Sequence, residues 1–544
     1  MSEDYDVIII GGGVSGLTLG AILGKAGQRC CIVEKEHQAG GYIAGYRRKD
    51  FHFDTAIHWL NQFGETGIVH RAFSFIDAKY KKPPRLAKIH RYKSANFDVL
   101  LESDLDKTKQ NFISQFPDEL EGIEKFFRHA EQLAKISLGM ANFVRSQETM
   151  NLVGKAIFYT RMLPTIIPII KHLRYAGDKG LKRGLSKYFK GDEIKDIFNS
   201  EVDLLSCLFP LAWAKNDDYF KTPEGGSVHY VNWLLEQNKA FGNEIMLKTK
   251  AQSVLLEGNK AIGITATQRK TDIKISSKYV VSASDLPSLY RHLLPSKAIS
   301  EEIKMKLEKS VMYTSSFTLS VALNCEAEKL GFGEEMISLA INNMAREEHE
   351  NSDPKVSKLS IIAPSVRDKT ICPAGHGVLT IYMAADIEKY DFWKTELADN
   401  GERIRSEAYY QLKKEIAEIL IERIENDLDI KLKEHIHFYE TASPYTYLRY
   451  SGNYRGTMMG TRPGKENMQA KVASHHTQVE NLLVGGHWGE LGGGVPMAAR
   501  SAMNTALIIL RKENRPQFKL LCKFLDGKIN LNRLNKSQLF KQNS

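Results

Sequence analysis

Two groups of residues near the start of the chain are typed and spaced for chemistry. The first is Gly11-Gly12-Gly13-Val14-Ser15-Gly16, followed by Glu34. Gly11 can make a tight turn, Gly13 can let the backbone approach a pyrophosphate, and Gly16 can let a helix close on a strand. Glu34 is placed to accept hydrogen bonds from ribose hydroxyls. The second group is Phe53-Asp54-Thr55-Ala56-Ile57-His58-Trp59, an apolar run holding an acid and a histidine. Such a pair can orient a loop and move or hold a proton.

These residues need a scaffold, and the sequence predicts one. Val7-Ile8-Ile9-Ile10 is a continuous branched run, as in a strand buried on both faces of a parallel sheet. The glycines follow directly, then a helix carrying Leu17, Leu19, Ile22 and Leu23, then a second strand, Cys31-Ile32-Val33, ending on Glu34. Strand, glycines, helix, strand and acid in register form the dinucleotide-binding fingerprint, and the helix N-terminus supplies unpaired N–H groups to the phosphates. Glu34 followed closely by Gly40-Gly41 resembles the arrangement in flavoenzymes of the glutathione-reductase-like FAD class, a resemblance that implies FAD over NAD. With Lys35 these glycines complete this part of the candidate cofactor set.

Later segments extend that domain. Thr222-Pro223-Glu224-Gly225-Gly226-Ser227 precedes a helical run. Residues 252–264, with Val254 as a candidate cofactor contact, predict a hairpin turning at Gly258-Asn259. Tyr279-Val280-Val281 predicts another buried strand. Asn481-Leu482-Leu483-Val484 runs into Gly485-Gly486, His487, Glu490 and Gly492-Gly493-Gly494-Val495-Pro496, and an alanine-rich helix follows. Gly486, Gly493, Gly494, Val495 and Pro496 join the cofactor candidates. Helical patterns dominate 117–200, and alternating runs near Ser315–Val321 and Gly377–Tyr382 predict a second sheet. The fold class is α/β: a Rossmann-like FAD-binding domain of the glutathione-reductase-like class, assembled from separated segments. The expected division is 1–70, 221–300 and 476–515 for that domain, 71–220 for a helical lobe facing substrate and membrane, 301–475 for substrate-binding sheet and helices, and 516–544 for a tail.

With these motifs the chain resembles the phytoene desaturase, carotenoid isomerase and retinol saturase family of FAD proteins. The resemblance runs from residue 5 to about 512. It is concentrated in the glycine fingerprint through Trp59, in Pro223–Gly226, in Ala442-Ser443-Pro444-Tyr445-Thr446-Tyr447-Leu448-Arg449-Tyr450, and in Gly485–Ala502. It implies that the Gly492–Pro496 loop covers the isoalloxazine, that Asp54 holds its loop and that His58 faces the flavin. The implied chemistry is desaturation, saturation or isomerisation of an apolar polyene, carotenoid- or retinoid-like. His58, His487 and Glu490 are the titratable candidates for a proton donor. The chain departs from the family's usual glycine at Ala56 and from its usual acid or amide at His487-Trp488. The alternatives are a desaturase of a carrier-bound acyl or polyene chain and a non-catalytic isoprenoid-binding protein.

Composition narrows the setting. At 544 residues with 42% hydrophobic and 26% charged, the chain is globular and too long for one core. The six cysteines are scattered without Cys-x-x-Cys or a nearby histidine cluster, which argues against a structural metal or a disulfide framework, and Cys30 and Cys31 are expected as buried thiols. The net charge of +10 could meet an anionic membrane or an acidic carrier protein; no nucleic-acid recognition motif is present. The acidic start, Met-Ser-Glu-Asp-Tyr-Asp, is unlike a signal peptide, so a cytoplasmic location is expected. In 152–190 an apolar stretch adjoins Lys171, Arg174, Lys179, Lys182, Arg183, Lys187 and Lys190. Pro164 and Pro168 and the shortness of the run argue against a spanning helix, leaving peripheral contact with the membrane interface.

Overall fold

The computed structural model describes residues 4–140, 143–399 and 402–529. The branched run becomes the strand Tyr5–Ile10, paired in parallel with Cys30–Val33 on one side and Thr271–Ser282 on the other. Glu244–Met246 and Leu482–Val484 extend the parallel sheet at its two edges. Both faces are covered, so successive residues enter different cores. Val7 and Ile9 pack with the helix Val14–Lys25 and the C-terminal helix Gly494–Glu513, while Ile8 and Ile10 pack with Val254, Ile264 and Trp488. Full burial of each such side chain contributes about 1.5–3 kcal/mol. Cys30 and Cys31 lie one in each core, both buried.

The strand Thr271–Ser282 serves two structures. Its C-terminal half belongs to the parallel sheet, while Thr271–Ser276 pairs antiparallel with Lys260–Gln268, which in turn pairs with Thr249–Glu257 around Gly258, φ +61°. The second sheet is mixed, in the order Ile436–Ala442, Ser315–Leu323, Gly377–Ala385, Leu359–Ile362, Met336–Leu339, Lys88–Lys93, Asp98–Glu102. Its last two strands come from residues expected in the helical lobe. Lys88–Lys93 pairs in parallel with Met336–Leu339, a partner almost 250 residues away that local periodicity could not reveal.

Helices 105–115, 120–140, 152–173, 177–185 and 204–215 build the lobe beside that sheet. The segment whose prolines and shortness argued against a spanning helix is one helix, Leu152–Leu173, of 22 residues. This corrects the sequence reading: Leu152–His172 is long and apolar enough to cross a membrane by length and composition. Pro164 and Pro168 lie one turn apart on the same helix, so their missing N–H groups fall on one stripe and the ladder survives elsewhere. Within the stretch expected as a tail, Arg515–Leu525 is a helix whose Leu521, Cys522 and Leu525 are buried against the parallel-sheet core; residues 530–544 of that stretch lie outside the described residues.

Candidate functional site

The site begins where the first strand ends. Gly11 has φ +108°, a conformation costly for residues with a side chain. A carbon added at Gly16 would lie 2.0 Å from the Gly11 carbonyl oxygen, so this glycine permits the helix to close on the turn. A carbon added at Gly13 would meet nothing within 4 Å. Gly13 caps the helix Val14–Lys25 with no side-chain hydrogen bond, and Gly493 does the same for Gly494–Glu513. Two helix N-termini with free N–H groups therefore open on one cavity, an arrangement suited to an anion and an electron-rich ring.

Glu34 closes the cradle. One carboxylate oxygen accepts from the Gly12 N–H at 2.8 Å and the other from the Glu36 N–H at 2.9 Å. Gly40 takes φ +117°, and its N–H reaches the Gly12 carbonyl at 2.8 Å, laying the second glycine pair against the first.

Asp54 ties two sequence-distant motifs together. Its Oδ1 accepts from the Ser227 N–H at 3.0 Å and lies 2.6 Å from the Ser227 hydroxyl. A carbon added at Gly226, φ +84°, would stand 3.0 Å from Asp54 Oδ1 and 2.9 Å from His52 Nε2, which is why glycine precedes Ser227. Ala56 lies outside the left-handed backbone region, so its methyl costs nothing there.

Beyond this motif the cavity widens to about 2370 Å³. Gly11, Gly13, Ser15, Glu34, Gly40, Gly41, His58, His487, Gly493, Gly494, Val495 and Pro496 all line it. The other candidates do not. Gly16 is consumed by packing, and a carbon added at Gly486 would lie 3.1 Å from the Ala283 backbone. Lys35 turns away, its Nζ donating to the Arg449 carbonyl at 2.8 Å. Val254 is buried in the apolar core against the first strand. Ser15 lines the cavity, but its hydroxyl donates to the Gly485 carbonyl and lies 2.9 Å from the Ala498 carbonyl, pinning the loop to the C-terminal segment.

The three titratable candidates also separate. His58 stacks on Tyr382 with ring centroids 4.1 Å apart and planes at 7°. Its Nδ1 is buried without a hydrogen-bond partner, and its carbonyl accepts from Arg367. Burial, with the Arg367 charge second, pushes the His58 pKa down to about 3. His487 has an unpartnered buried Nε2, and burial pushes its pKa down to about 4. Glu490 sits behind the loop. It lies 3.1 Å from Asn504 Nδ2, 3.4 Å from His475 Nε2 and 3.5 Å from Arg500. Burial works against its charge, but Arg500 and His475 outweigh that and hold the carboxyl below its ordinary range.

Sequence reasoning missed the floor of the cavity. In Ser315–Leu323, Ser316, Thr318 and Ser320 face the cavity while Phe317, Leu319 and Val321 enter the core. The period-two alternation of small polar and apolar residues carried that signal. Tyr382, which carries His58, lies on the neighbouring strand opposite Thr318. The opposite wall is apolar and comes from the helical lobe: Met140, Leu205, Phe209, Pro210 and Trp213.

Comparison with known proteins agrees with this geometry. Residues 9–76 match the NAD(P)-binding Rossmann-like domain family, so the cradle is a dinucleotide-binding one. A prolycopene isomerase of Daucus carota is 23% identical over 481 residues, covering 85% of this chain and 74% of that protein. An all-trans-retinol 13,14-reductase of Danio rerio is 21% identical over 531 residues, covering 89% and 82%. Among solved structures, an oxidoreductase from Methanosarcina mazei superimposes with a TM-score of 0.56 at 14% identity, covering 92% of this chain and 99% of that one. A putrescine oxidase redesigned in its cofactor binding gives 0.56 at 14%, covering 93% and 99%. With relatives of both kinds along most of its length and the dinucleotide fingerprint at its start, the chain fits the phytoene desaturase, carotenoid isomerase and retinol saturase family.

Proposed function

We propose that the protein is an FAD-dependent oxidoreductase acting on carbon–carbon double bonds of an apolar polyene. One observation carries the reading: the glycine cradle and an apolar, aromatic chamber are parts of a single cavity of about 2370 Å³. That exceeds the roughly 300–1,000 Å³ of an ordinary ligand site and leaves room for a dinucleotide together with a long substrate. The cradle fits FAD, with the open space at Gly13, the uncapped helix N-termini and the second glycine pair at Gly40 as its supports. Gly11, Gly13, Glu34, Gly40 and Gly41 would hold the nucleotide half, and the Gly492–Pro496 loop the ring. When bound, FAD would supply hydride transfer.

The chain's own residues do the rest. The apolar wall and the Ser316-Thr318-Ser320 face form a chamber that excludes water and fixes the polyene's path. His58, stacked on Tyr382, presents a neutral imidazole to that path. Burial keeps His487 uncharged as well, and Glu490 is tied into an ionised pair. None of the three is a charged acid aimed into the chamber at neutral pH, which favours isomerisation, where no net proton is gained, over reduction, where the second carbon of the double bond must take one. The test is flavin absorbance of the purified protein, followed by product analysis with carotenoid and retinoid substrates under oxidising and reduced-flavin conditions. A protein that neither binds FAD nor is stabilised by it would overturn the reading.

The exposed helix supports a second element of the proposal, peripheral attachment to a membrane. Leu152, Val153, Ile157, Leu163, Ile167 and Ile170 are each 48–84% exposed, while Ile169 packs on the helical lobe. Only 6% of this helix's apolar window is buried, and the basic helix Gly177–Leu185 follows. An apolar face beside cations suits an anionic lipid interface. The protein is expected to pellet with phosphatidylglycerol-containing vesicles, and replacing Leu163, Ile167 and Ile170 with serine should abolish pelleting while flavin stays bound. Wild-type pelleting by that variant would place the contact elsewhere.

A further inference from the structure

One part of the cavity is unlike the rest. Where the helical lobe meets the second sheet, the apolar lining gives way to Ser200, Glu201, Arg346, Glu350, Lys358 and Arg462. They come from a loop between helices, a short helix, a strand end and the loop preceding the C-terminal segment. The Lys358 ammonium donates to the Ser200 hydroxyl at 2.8 Å and faces Glu201 Oε1 at 3.9 Å. Arg346 bonds Glu350 at 2.6 Å and lies 3.7 Å from Asp178, and Arg462 approaches Glu350 at 3.6 Å.

Neither the cradle nor the apolar chamber uses these groups, and placing charges against an apolar ligand costs free energy. We propose that Glu201 and Lys358 form a subsite for a hydroxyl group at one end of the polyene. The inference rests on the polyene-oxidoreductase reading above and names the end group that its substrate carries. The 3.9 Å gap between Lys358 and Glu201 is too long for a direct hydrogen bond. It is the right size for one oxygen that accepts from the ammonium and donates to the carboxylate. A hydroxyl does both, an ether oxygen only accepts, and a hydrocarbon does neither.

Charge excludes a carboxylate. Lys358, Arg346 and Arg462 are matched by Glu201, Glu350 and Asp178, and Asp203, whose carboxylate caps the helix Leu204–Lys215, adds a further acid nearby. Among the described residues of this cluster, each cation faces an acid. Burial, against the pull of the Lys358 charge, raises the pKa of Glu201, as for an acid held in a water-poor chamber.

Position gives the subsite a second consequence. Ser360, in the strand Leu359–Ile362, pairs directly with Tyr382, on which His58 stacks, and Lys358 immediately precedes that strand. Two residues span at most about 7 Å, so Lys358 stays close to the Ser360–Tyr382 pair. A hydroxyl held there places a bond close to that end of the chain beside His58, so the subsite also selects which double bond reacts.

The experiment uses the flavin-loaded protein and three probes of the same carbon skeleton: all-trans-retinol, retinyl methyl ether and all-trans-retinoic acid. Binding is read by quenching of protein fluorescence. Wild type should bind retinol at least tenfold more tightly than the ether or the acid, because a largely desolvated charged partner left unpaired costs about that. Lys358→Met and Glu201→Gln should each remove most of this preference while leaving flavin content and ether binding unchanged, and Lys358→Arg should retain part of it. Equal wild-type affinity for retinol and the ether overturns the subsite and leaves the polyene reading intact. Tighter binding of the acid overturns the charge argument, and with it the hydroxyl assignment. Binding of none of the three by a protein that holds flavin sinks the polyene reading and this inference together. Should Lys358→Met fail to fold, Lys358→Arg and Glu201→Gln decide the matter.

Discussion

The two ends of the cavity are built by opposite means. The cradle is made of backbone: turns at Gly11 and Gly40, two uncapped helix N-termini, and one acid whose oxygens are held by backbone N–H groups. The chamber is made of side chains contributed by strands and helices far apart in sequence. At the first end a single extra carbon is decisive, because backbone cannot move aside. At the second a substitution alters one contact and leaves the scaffold standing.

The sharpest way to break that comparison is a pair of glycine variants. Gly16→Val would put its first side-chain carbon 2.0 Å from the Gly11 carbonyl oxygen, so the protein should fail to fold or lose several kcal/mol, about the scale of a severe core overpacking. Gly13→Val has open space at that carbon and an ordinary φ of −71°, so it should fold. Its side chain would then occupy the room a pyrophosphate needs, and purified protein should carry little flavin. Stoichiometric flavin in Gly13→Val would show that the cradle is not where the cofactor sits.

Next in size is the chamber. His58→Gln should keep flavin and slow turnover about ten- to a hundredfold, the cost of one buried polar contact. Loss of a general acid would instead cost about 10²–10⁴-fold. With its pKa pushed down to about 3, His58 is neutral through the physiological range, so the wild-type rate should show no inflection from it between pH 5 and 8. A rate that rises with protonation near pH 6 would return an imidazolium to the mechanism.

The same contrast explains what the sequence disclosed. The cradle is built from short contiguous motifs, and each has a local signature: a branched run for a strand covered on both faces, glycines where φ is positive, an acid at the next strand's end. Four of the five strands in the parallel sheet could therefore be placed, at Val7–Ile10, Cys31–Val33, Tyr279–Val281 and Leu482–Val484. The chamber has no such contiguity. His58 was visible as a histidine in an apolar run, but Tyr382 beneath it is set by a pairing between strands, as is Lys88–Lys93 against Met336–Leu339. Lys35 and Val254 show the converse error. Both stand near the fingerprint in sequence or sheet, yet one side chain turns outward to Arg449 and the other is swallowed by the core. Proximity to a motif says which element a residue is on, and not which way it points.

Glu490 sharpens the comparison from a third position, the support behind the ring loop. Its carboxylate joins Asn504, His475 and Arg500 and does not line the cavity. Glu490→Gln should lower stability by about 1–3 kcal/mol, the cost of leaving buried partners unmatched. Turnover per flavin-bearing molecule should stay at the wild-type value. A variant of unchanged melting temperature but lost turnover would move Glu490 back among the reacting groups.

The smallest expected effect separates the two ends by acid. His487 is buried, and its pKa falls from 6.5 in the unfolded chain to about 4 in the fold. Between those values the unfolded chain takes up a proton that the folded protein refuses, so falling pH favours unfolding. At pH 5.5, one unit below the unfolded value, this residue alone should cost about 1.4 kcal/mol relative to neutral pH. The loss begins near pH 6.5, grows as pH falls, and levels off below about 4, where both states are protonated. His487→Asn removes the titration and should flatten that part of the stability profile, read as melting temperature against pH from 7.5 to 5. Gly13→Val changes no titratable group, because it alters only the backbone end of the cradle. Gly13→Val, compared with wild type in the flavin-free state, should therefore show the wild-type slope. A profile in which His487→Asn declines as steeply as wild type would mean that water reaches the ring and the chamber is not dry.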